Sequence, residues 1–140
     1  MEFNPYLGFN GNCAEAFELY HRVLGGSITG RHTFGEMPPG EDGGGQVPPG
    51  WEDKIMHISL QVGNVTLMGS DAPPGMYAQP QGFHVSIHPT DAAEGSRIFS
   101  ALAEGGQITM PYQETFWAHR FGMLVDRFGT PWMVNVDTQE

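Results

Sequence analysis

Histidine and serine alternate with apolar residues in two short stretches of the sequence. His57 and Ser59 lie in IMHISLQV, and His84 and Ser86 lie in FHVSIH. If each stretch is a strand, these polar side chains share one face, because successive side chains of a strand point to opposite faces. An imidazole can transfer protons or bind a metal, and a hydroxyl can hydrogen-bond a ligand. The pattern predicts a polar, ligand-binding face; strand histidines that only bond to a neighbour are the alternative.

A third stretch with residues suited to catalysis or ligand binding is QETFWAHRFG. Glu114 is placed where a general base can act, and together with His84 it is our candidate for proton transfer; a solvated carboxylate is the alternative. Phe116 and Trp117 suit an aromatic wall for a small organic ligand, and they suit an internal packing cluster equally well. The functional and the structural interpretation both stay open for Glu114 and for the aromatic pair.

Two helices are predicted beside these stretches, each ending at paired glycines. The first spans residues 12 to about 24, with Asn12 as N-cap and Glu15 completing a capping box. The second begins at Thr90 or Asp91, with Glu94 near the third position. The apolar spacing predicts a buried stripe on each: Phe17, Tyr20 and Leu24 on the first, Ile98, Phe99 and Leu102 on the second.

Strands are predicted around each helix, and each half of the chain closes with a hairpin. The hairpin turns fall at Gly63-Asn64 and near Phe128-Gly129. The faces opposite the polar residues are expected to pack under the helices; they carry Met56, Ile58, Leu60 and Val62 in the first half and Phe83, Val85 and Ile87 in the second. Extra residues in the first half, 35–53, are rich in Gly and Pro and predict a flexible loop that covers the groove as a flap.

Each half therefore reads strand, helix, strand, strand, strand. We predict an α+β fold in one domain spanning residues 1–140, with repeat one at about 1–72 and repeat two at about 80–140. A βαβββ unit forms a curled mixed sheet with its helix outside. Two such units leave a groove, into which the polar faces of the histidine-bearing strands are expected to point.

Three longer stretches carry a family resemblance: YLGFNGNCAEAFELY, KIMHISLQVGNVTLMGSD and TFWAHRFGMLVDRFGTPWMVNV. Together they resemble the PhnB-like branch of the vicinal oxygen chelate superfamily, which includes glyoxalase I, bleomycin-resistance proteins and extradiol dioxygenases. The resemblance spans nearly the whole chain. It implies the glyoxalase/bleomycin-resistance-like fold and a homodimer with pockets built from paired βαβββ units.

The resemblance also bears on metal binding. Metal-dependent members of the superfamily take one ligand, mostly His or Glu, from the first and last strand of each unit. The corresponding positions here are approximately Tyr6 (or Pro5), Met68 (or Leu67), His84 and Met133. One imidazole, two thioethers and a phenol suit Zn²⁺, Ni²⁺, Mn²⁺ or Fe²⁺ poorly. We therefore predict neither the superfamily metal nor another cofactor; Met68 and Met133 line the groove or fill the core.

The bulk composition excludes several classes of partner. The formal net charge is −10, with 6 Lys and Arg against 16 Asp and Glu, so nucleic-acid binding is not expected. No apolar run approaches the ~18 residues of a membrane span, so no membrane association is expected. A single cysteine excludes an intrachain disulfide. With no signal-like start, these features predict a cytoplasmic protein.

Two functions are consistent with this sequence. The first is binding of a small, partly apolar organic molecule, with a lining drawn from Tyr6, His57, Ser59, Met68, His84, Ser86, Trp117 and Met133. The second is a lyase, isomerase or oxygenase, either metal-dependent or using His84 and Glu114 for proton transfer. Some members of this branch are labelled as methyltransferases of a ubiquinone precursor, but the chain lacks the strand–GxGxG–helix signature of S-adenosylmethionine sites.

Overall fold

The computed structural model describes residues 1–36 and 47–137 and divides into two compact units. The N-terminal unit, Met1–Ala78, contains β1 (Tyr6–Phe9), α1 (Cys13–Leu24), β2 (Ser27–Thr33), a 3-10 turn (Phe34–Glu36), β3 (Ile55–Val62) and β4 (Val65–Asp71). The C-terminal unit, Gln79–Glu140, contains β5 (Val85–Ile87), α2 (Ala92–Ala103), β6 (Gln107–Gln113), β7 (Arg120–Val125) and β8 (Pro131–Val136). No helix among the described residues is long and apolar enough to cross a membrane.

Each unit is a four-stranded mixed sheet with the same topology. The strand orders are β1-β4-β3-β2 and β5-β8-β7-β6. The first strand of each unit pairs parallel with the last, and the remaining pairs are antiparallel. The predicted α+β fold of two βαβββ repeats is confirmed. The helix in each unit packs on one sheet face, α1 on β3 and β4 and α2 on β6, β7 and β8.

Helix α1 buries an aromatic cluster against its sheet. Phe17 meets Phe9 and Tyr20 edge to face, with ring centroids 5.9 and 5.4 Å from its own. The sheet makes room at Gly69, where a Cβ would lie 2.6 Å from the Phe17 ring. Phe17 and Tyr20 are buried as predicted, but Val23 takes the place predicted for Leu24, which is only half-buried. The buried stripe also contains Cys13, Ala16 and Leu19, and Leu24 is the last residue of the helix.

Asn12 is the N-cap residue of α1 as predicted, but the predicted capping box does not form. The Asn12 side chain makes no capping hydrogen bond, and its buried Oδ1 has no partner among the described residues. Instead Asp71, at the end of β4, accepts a hydrogen bond from the Cys13 N–H at 2.9 Å through Oδ1. Its Oδ2 accepts the Ile55 N–H at 2.9 Å. A carboxylate that is 2% exposed thus joins the starts of α1 and β3 to the end of β4.

Helix α2 begins and packs as the sequence predicts. Asp91 is its N-cap and accepts the Glu94 N–H at 2.8 Å. The stripe of Ile98, Phe99 and Leu102 is buried. Beneath the helix, Gly122 leaves room for Phe99, since a Cβ there would lie 2.7 Å from that ring. The C-terminal helix is therefore capped locally, whereas the N-terminal helix is capped by a residue far away in the sequence.

Both hairpin turns lie where they were predicted. β3 and β4 are joined by Gly63 and Asn64, and β7 and β8 by residues 126–130. In the second turn the buried Asp126 accepts the N–H groups of Phe128 and Thr130 at 2.9 and 3.0 Å. It also accepts the Trp132 indole N–H at 2.8 Å, which ties the turn to the core. Carboxylates inside both units therefore serve as hydrogen-bond acceptors for backbone and indole donors.

The predicted flap, residues 35–53, lies only partly within the described residues, because 37–46 are outside them. Its two described ends are joined to one another. Gly35 N–H donates to the Glu52 carbonyl at 2.9 Å, and the rings of Phe34 and Trp51 meet edge to face with centroids 5.7 Å apart. The ends of this segment are thus held by a hydrogen bond and an aromatic contact.

Candidate functional site

The sheet face of each unit that carries no helix is the candidate binding surface, and we call it the helix-distal face. In β3, Ile58 and Leu60 are 1% and 0% exposed and point toward α1. His57 and Ser59 alternate with them and therefore lie on the helix-distal face. The alternation assigns Ile58 and Leu60 to the buried face correctly, whereas Met56 and Val62 are only half-buried and Ser59 is 9% exposed.

Strand register brings four of the predicted lining residues together on the N-terminal helix-distal face. Tyr6 pairs with Met68, and Met68 pairs with Ser59. His57 precedes Ser59 by two residues on the same face. The Tyr6 hydroxyl lies 3.3 Å from His57 Nδ1, and the two rings lie 5.8 Å apart at their centroids. A phenol, an imidazole, a hydroxyl and a thioether thus share one surface.

A hydroxyl that the sequence analysis missed lies beside this group. Thr29 Oγ1 is 2.9 Å from Ser59 Oγ. Thr29 is brought there by a register shift in β2 between Ile28 and Gly30, which adds one unpaired residue to the strand. The strand pattern alone does not reveal such a bulge, and the β-branched Thr29 after the paired glycines is the only local signal. Together the two hydroxyls can both donate to and accept from a ligand.

The Tyr6–His57 contact has a chemical consequence. If the phenol donates to Nδ1, then neutral His57 carries its proton on Nε2 and presents a donor there. If Nδ1–H donates to the phenol oxygen, Nε2 is a free base and the Tyr6 hydroxyl can donate to a ligand. The pair can therefore recognise a ligand oxygen as donor or acceptor, and one arrangement is suited to proton transfer.

On the C-terminal helix-distal face, register places Ser86, and not His84, beside Met133. Ser86 of β5 pairs with Met133 of β8, so Ser86 takes the position that the sequence analysis assigned to His84. His84 lies outside β5, next to its first residue. Phe83, predicted to pack under a helix, is 48% exposed, so that prediction is wrong. β5 is three residues long, too short to carry the alternation out to Phe83 and His84.

The aromatic residues of the third stretch both pack and remain accessible. The Trp117 ring meets Phe121 of β7 edge to face, with centroids 5.5 Å apart, and also contacts Phe116 at 4.8 Å. Trp117 is still 49% exposed and Phe116 is 96% exposed. Phe121 shares the helix-distal face with Met123, so Trp117 lies beside that face. Glu114 is exposed in the loop after β6.

The residues on the helix-distal faces of the two units do not suit the superfamily metal. Among residues 1–36 and 47–137, no group of three or more His, Cys, Asp or Glu side chains is arranged to hold a metal ion. The positions in register are Tyr6 with Met68 and Ser86 with Met133. Two hydroxyl groups and two thioethers lack the imidazoles and carboxylates that divalent catalytic ions prefer.

The chain matches one family model and is similar to proteins from two bacterial species. A family model described as 3-demethylubiquinone-9 3-methyltransferase matches residues 1–135. Protein YjdN of Escherichia coli K12 is 40% identical over 144 aligned positions, which cover 100% of this chain and 98% of YjdN. The crystal structure of PA1353 from Pseudomonas aeruginosa shares 46% identity and a TM-score of 0.88 over 99% of both chains.

A more distant structure shows that the fold extends beyond close sequence similarity. It is the PhnB protein of Bacillus cereus, described as a putative 3-demethylubiquinone-9 3-methyltransferase. Its TM-score is 0.76, with 20% identity over 97% of this chain and 99% of that one. At this identity the similarity shows a shared fold, and it does not transfer an activity.

Proposed function

The chain belongs to the PhnB-like family described as 3-demethylubiquinone-9 3-methyltransferase, and we propose that it binds a small organic molecule. The family is a branch of the vicinal oxygen chelate superfamily. The proposed binding surface is the N-terminal helix-distal face, where Tyr6, His57, Ser59 and Met68 lie together. The ligand is a partly apolar molecule that carries at least one oxygen able to hydrogen-bond.

The observation that carries this proposal is the Tyr6–His57 contact at 3.3 Å. Tyr6 is 51% exposed although it is a large aromatic side chain, and its register partner Met68 is half-buried. An aromatic ring and a thioether offer an apolar surface, while the phenol, the imidazole and the Thr29–Ser59 hydroxyls offer polar atoms. This mixture suits a ligand with an apolar body and a polar end.

The methyl donor that the family description suggests does not fit the residues present. Nucleotide cofactors commonly bind at a glycine-rich turn between a strand and the N-terminus of a helix. In this chain the turn between β1 and α1 meets the buried carboxylate of Asp71, which accepts the Cys13 N–H. That carboxylate already accepts the first amide of α1, so this turn does not offer that amide to a cofactor.

Metal-free proton transfer is the second candidate, and the same contact favours it. An imidazole bonded through Nδ1–H to a phenol leaves Nε2 free to remove a proton and the phenol hydroxyl free to stabilise an oxyanion. The earlier candidates for this role, His84 and Glu114, stay predictions. Turnover of a bound compound distinguishes an enzyme from a binding protein.

The first test uses variants of the contacting pair. A thermal-shift screen of small phenols, enols and hydroxy acids identifies a ligand, since saturation at 100 times the dissociation constant adds about 2.7 kcal/mol of stability. Tyr6→Phe and His57→Gln are each expected to weaken that ligand about three- to tenfold by calorimetry, because each removes one net hydrogen bond. His21→Gln, on α1 across the sheet, is the matched control. Unchanged affinity in both site variants, with a ligand that still binds, would refute this surface.

The second test concerns metal content. Protein purified without a metal-affinity tag is expected to contain well under one equivalent of Zn, Ni, Mn or Fe by elemental analysis, because the outward-facing donors suit these ions poorly. His84→Ala and Ser86→Ala are compared in parallel, since register places Ser86 beside Met133. A stoichiometric ion that survives chelator and is lost in either variant would overturn the metal-free proposal.

We propose a homodimer and a cytoplasmic protein, with no nucleic-acid partner. Contacts of Ser86, Trp117 and Met133 with a ligand also stay predictions.

A further inference from the structure

Three methionines occupy neighbouring positions on three adjacent strands of the C-terminal unit. Met110 of β6 pairs with Met123 of β7, and Met123 pairs with Met133 of β8. The same row in the N-terminal unit reads Gly30, Ser59 and Met68. The two repeats thus share the geometry of this row but differ in its chemistry. Only the C-terminal copy carries a thioether on each of the three strands.

Register requires the three thioethers to lie on one sheet face. Directly paired residues of antiparallel strands point the same way, with Cβ atoms about 4.5–5.5 Å apart. Met110 is aligned by a register shift after Ile108, which turns it to face the same way as Met123. Three rotatable bonds in each side chain allow neighbouring sulfur atoms to converge on a common point.

The exposure of these methionines argues against a purely structural role. On the other face of the same strands, Leu124, Trp132 and Val134 are no more than 1% exposed and form the core under α2. Met110, Met123 and Met133 are all half-buried. Their side chains therefore lie outside the close-packed core, on the helix-distal face that Met123 shares with Phe121.

We propose that Met110, Met123 and Met133 bind one soft monovalent cation, Cu(I). Thioethers are soft ligands and select Cu(I) over the divalent ions that prefer imidazole and carboxylate. The formal net charge of −10 favours accumulation of cations at the surface. The ion would bridge three strands of one sheet.

The test uses Ag(I) as a redox-stable probe and the complete chain labelled at the methionine methyl groups. The chain has 8 methionines, so the methyl spectrum reports each position once the signals are assigned by Met→Leu substitution. One equivalent of Ag(I) is expected to shift the signals of Met110, Met123 and Met133 together. Competition with the chelator bicinchoninate then measures Cu(I) affinity under anaerobic, reducing conditions.

Variants separate this site from other sulfur atoms. Met123→Leu removes the central ligand at nearly constant volume and is expected to weaken Cu(I) binding by roughly tenfold or more. Met76→Leu, in a loop where Met76 is 72% exposed, is the matched control and should leave affinity unchanged. Cys13→Ala excludes the only thiol, which is buried and whose pKa is raised by desolvation. Binding should persist in that variant.

The outcomes are distinct from those of the proposed function, because no organic ligand is used. Three coupled methyl shifts that disappear in Met123→Leu support the site. No binding, shifts at a single methionine, or binding that is lost with Cys13 and kept in Met123→Leu would refute it. The methyl spectrum of the unmodified chain decides the question even if a variant fails to fold.

Discussion

Replacing Asp71 with alanine is expected to lower the free energy of unfolding by about 3–5 kcal/mol. Asp71 is 2% exposed and accepts hydrogen bonds from the N–H groups of Cys13 and Ile55, which are themselves on fully buried residues. Each buried donor left without an acceptor costs about 1–3 kcal/mol, and the lost side chain leaves a small cavity. Urea denaturation followed by circular dichroism measures the change.

Asp91→Ala is the matched control for this prediction. Asp91 also accepts one backbone N–H at a helix start, but it is exposed and bonds only to Glu94 three residues on. Its loss is expected to cost about 1 kcal/mol, the usual value of an N-cap. Asp71→Asn adds a second comparison, because its amide keeps one acceptor oxygen and turns a donor toward the other N–H. Equal effects of Asp71→Ala and Asp91→Ala would contradict the role given to Asp71.

Gly26→Ala is expected to destabilise the chain by a similar amount, about 2–5 kcal/mol. Gly26 has φ of 79°, and a Cβ there would lie 2.1 Å from the backbone carbonyl oxygen of Gln61. A positive φ costs a non-glycine residue about 1–2 kcal/mol, and forcing a strand backbone apart costs about 1–3 kcal/mol more. The carbonyl belongs to β3 and cannot rotate away without breaking its sheet.

Two other glycines separate these two causes. Gly63 has φ of 58° and open space around it, so Gly63→Ala should cost only the conformational part, about 1–2 kcal/mol. Gly106 would place a Cβ 2.3 Å from the Val125 carbonyl oxygen, and its φ lies outside the left-handed region, so Gly106→Ala reports the steric part. Gly26→Ala combines both causes, so it should cost more than either of these two variants. If Gly26→Ala lowers the free energy of unfolding no more than Gly63→Ala does, the steric argument is contradicted.

The paired glycines also explain why both helices are followed by nearly the same junction, at Gly25–Gly26 after α1 and at Gly105–Gly106 after α2. Gly26 and Gly106 each pass close to a carbonyl oxygen of the neighbouring strand, at Gln61 in one unit and Val125 in the other. In both units a helix ends there and an edge strand begins. The repeated sequence therefore reflects a repeated close approach between a helix end and the next strand of its sheet.

The sequence by itself determined the elements and the repeat. Helix and strand periods, the glycine turns at Gly63 and Gly129, and the Asp91 cap are properties of residues close together in the chain. They are visible without any knowledge of packing. The same local periodicity identified the face of β3 that carries His57 and Ser59, because alternation needs only the strand itself.

Only the tertiary structure decided which side chains meet. The Tyr6–His57 contact joins residues 51 apart in the sequence, and the Asp71 cap of α1 joins residues 58 apart. The pairing of Ser86, rather than His84, with Met133 depends on the register of two strands, and the position of Met110 depends on a shift within β6. Register is set by turns, bulges and packing on the buried face, so a period of two predicts which face a residue occupies and leaves its neighbour across the sheet undetermined.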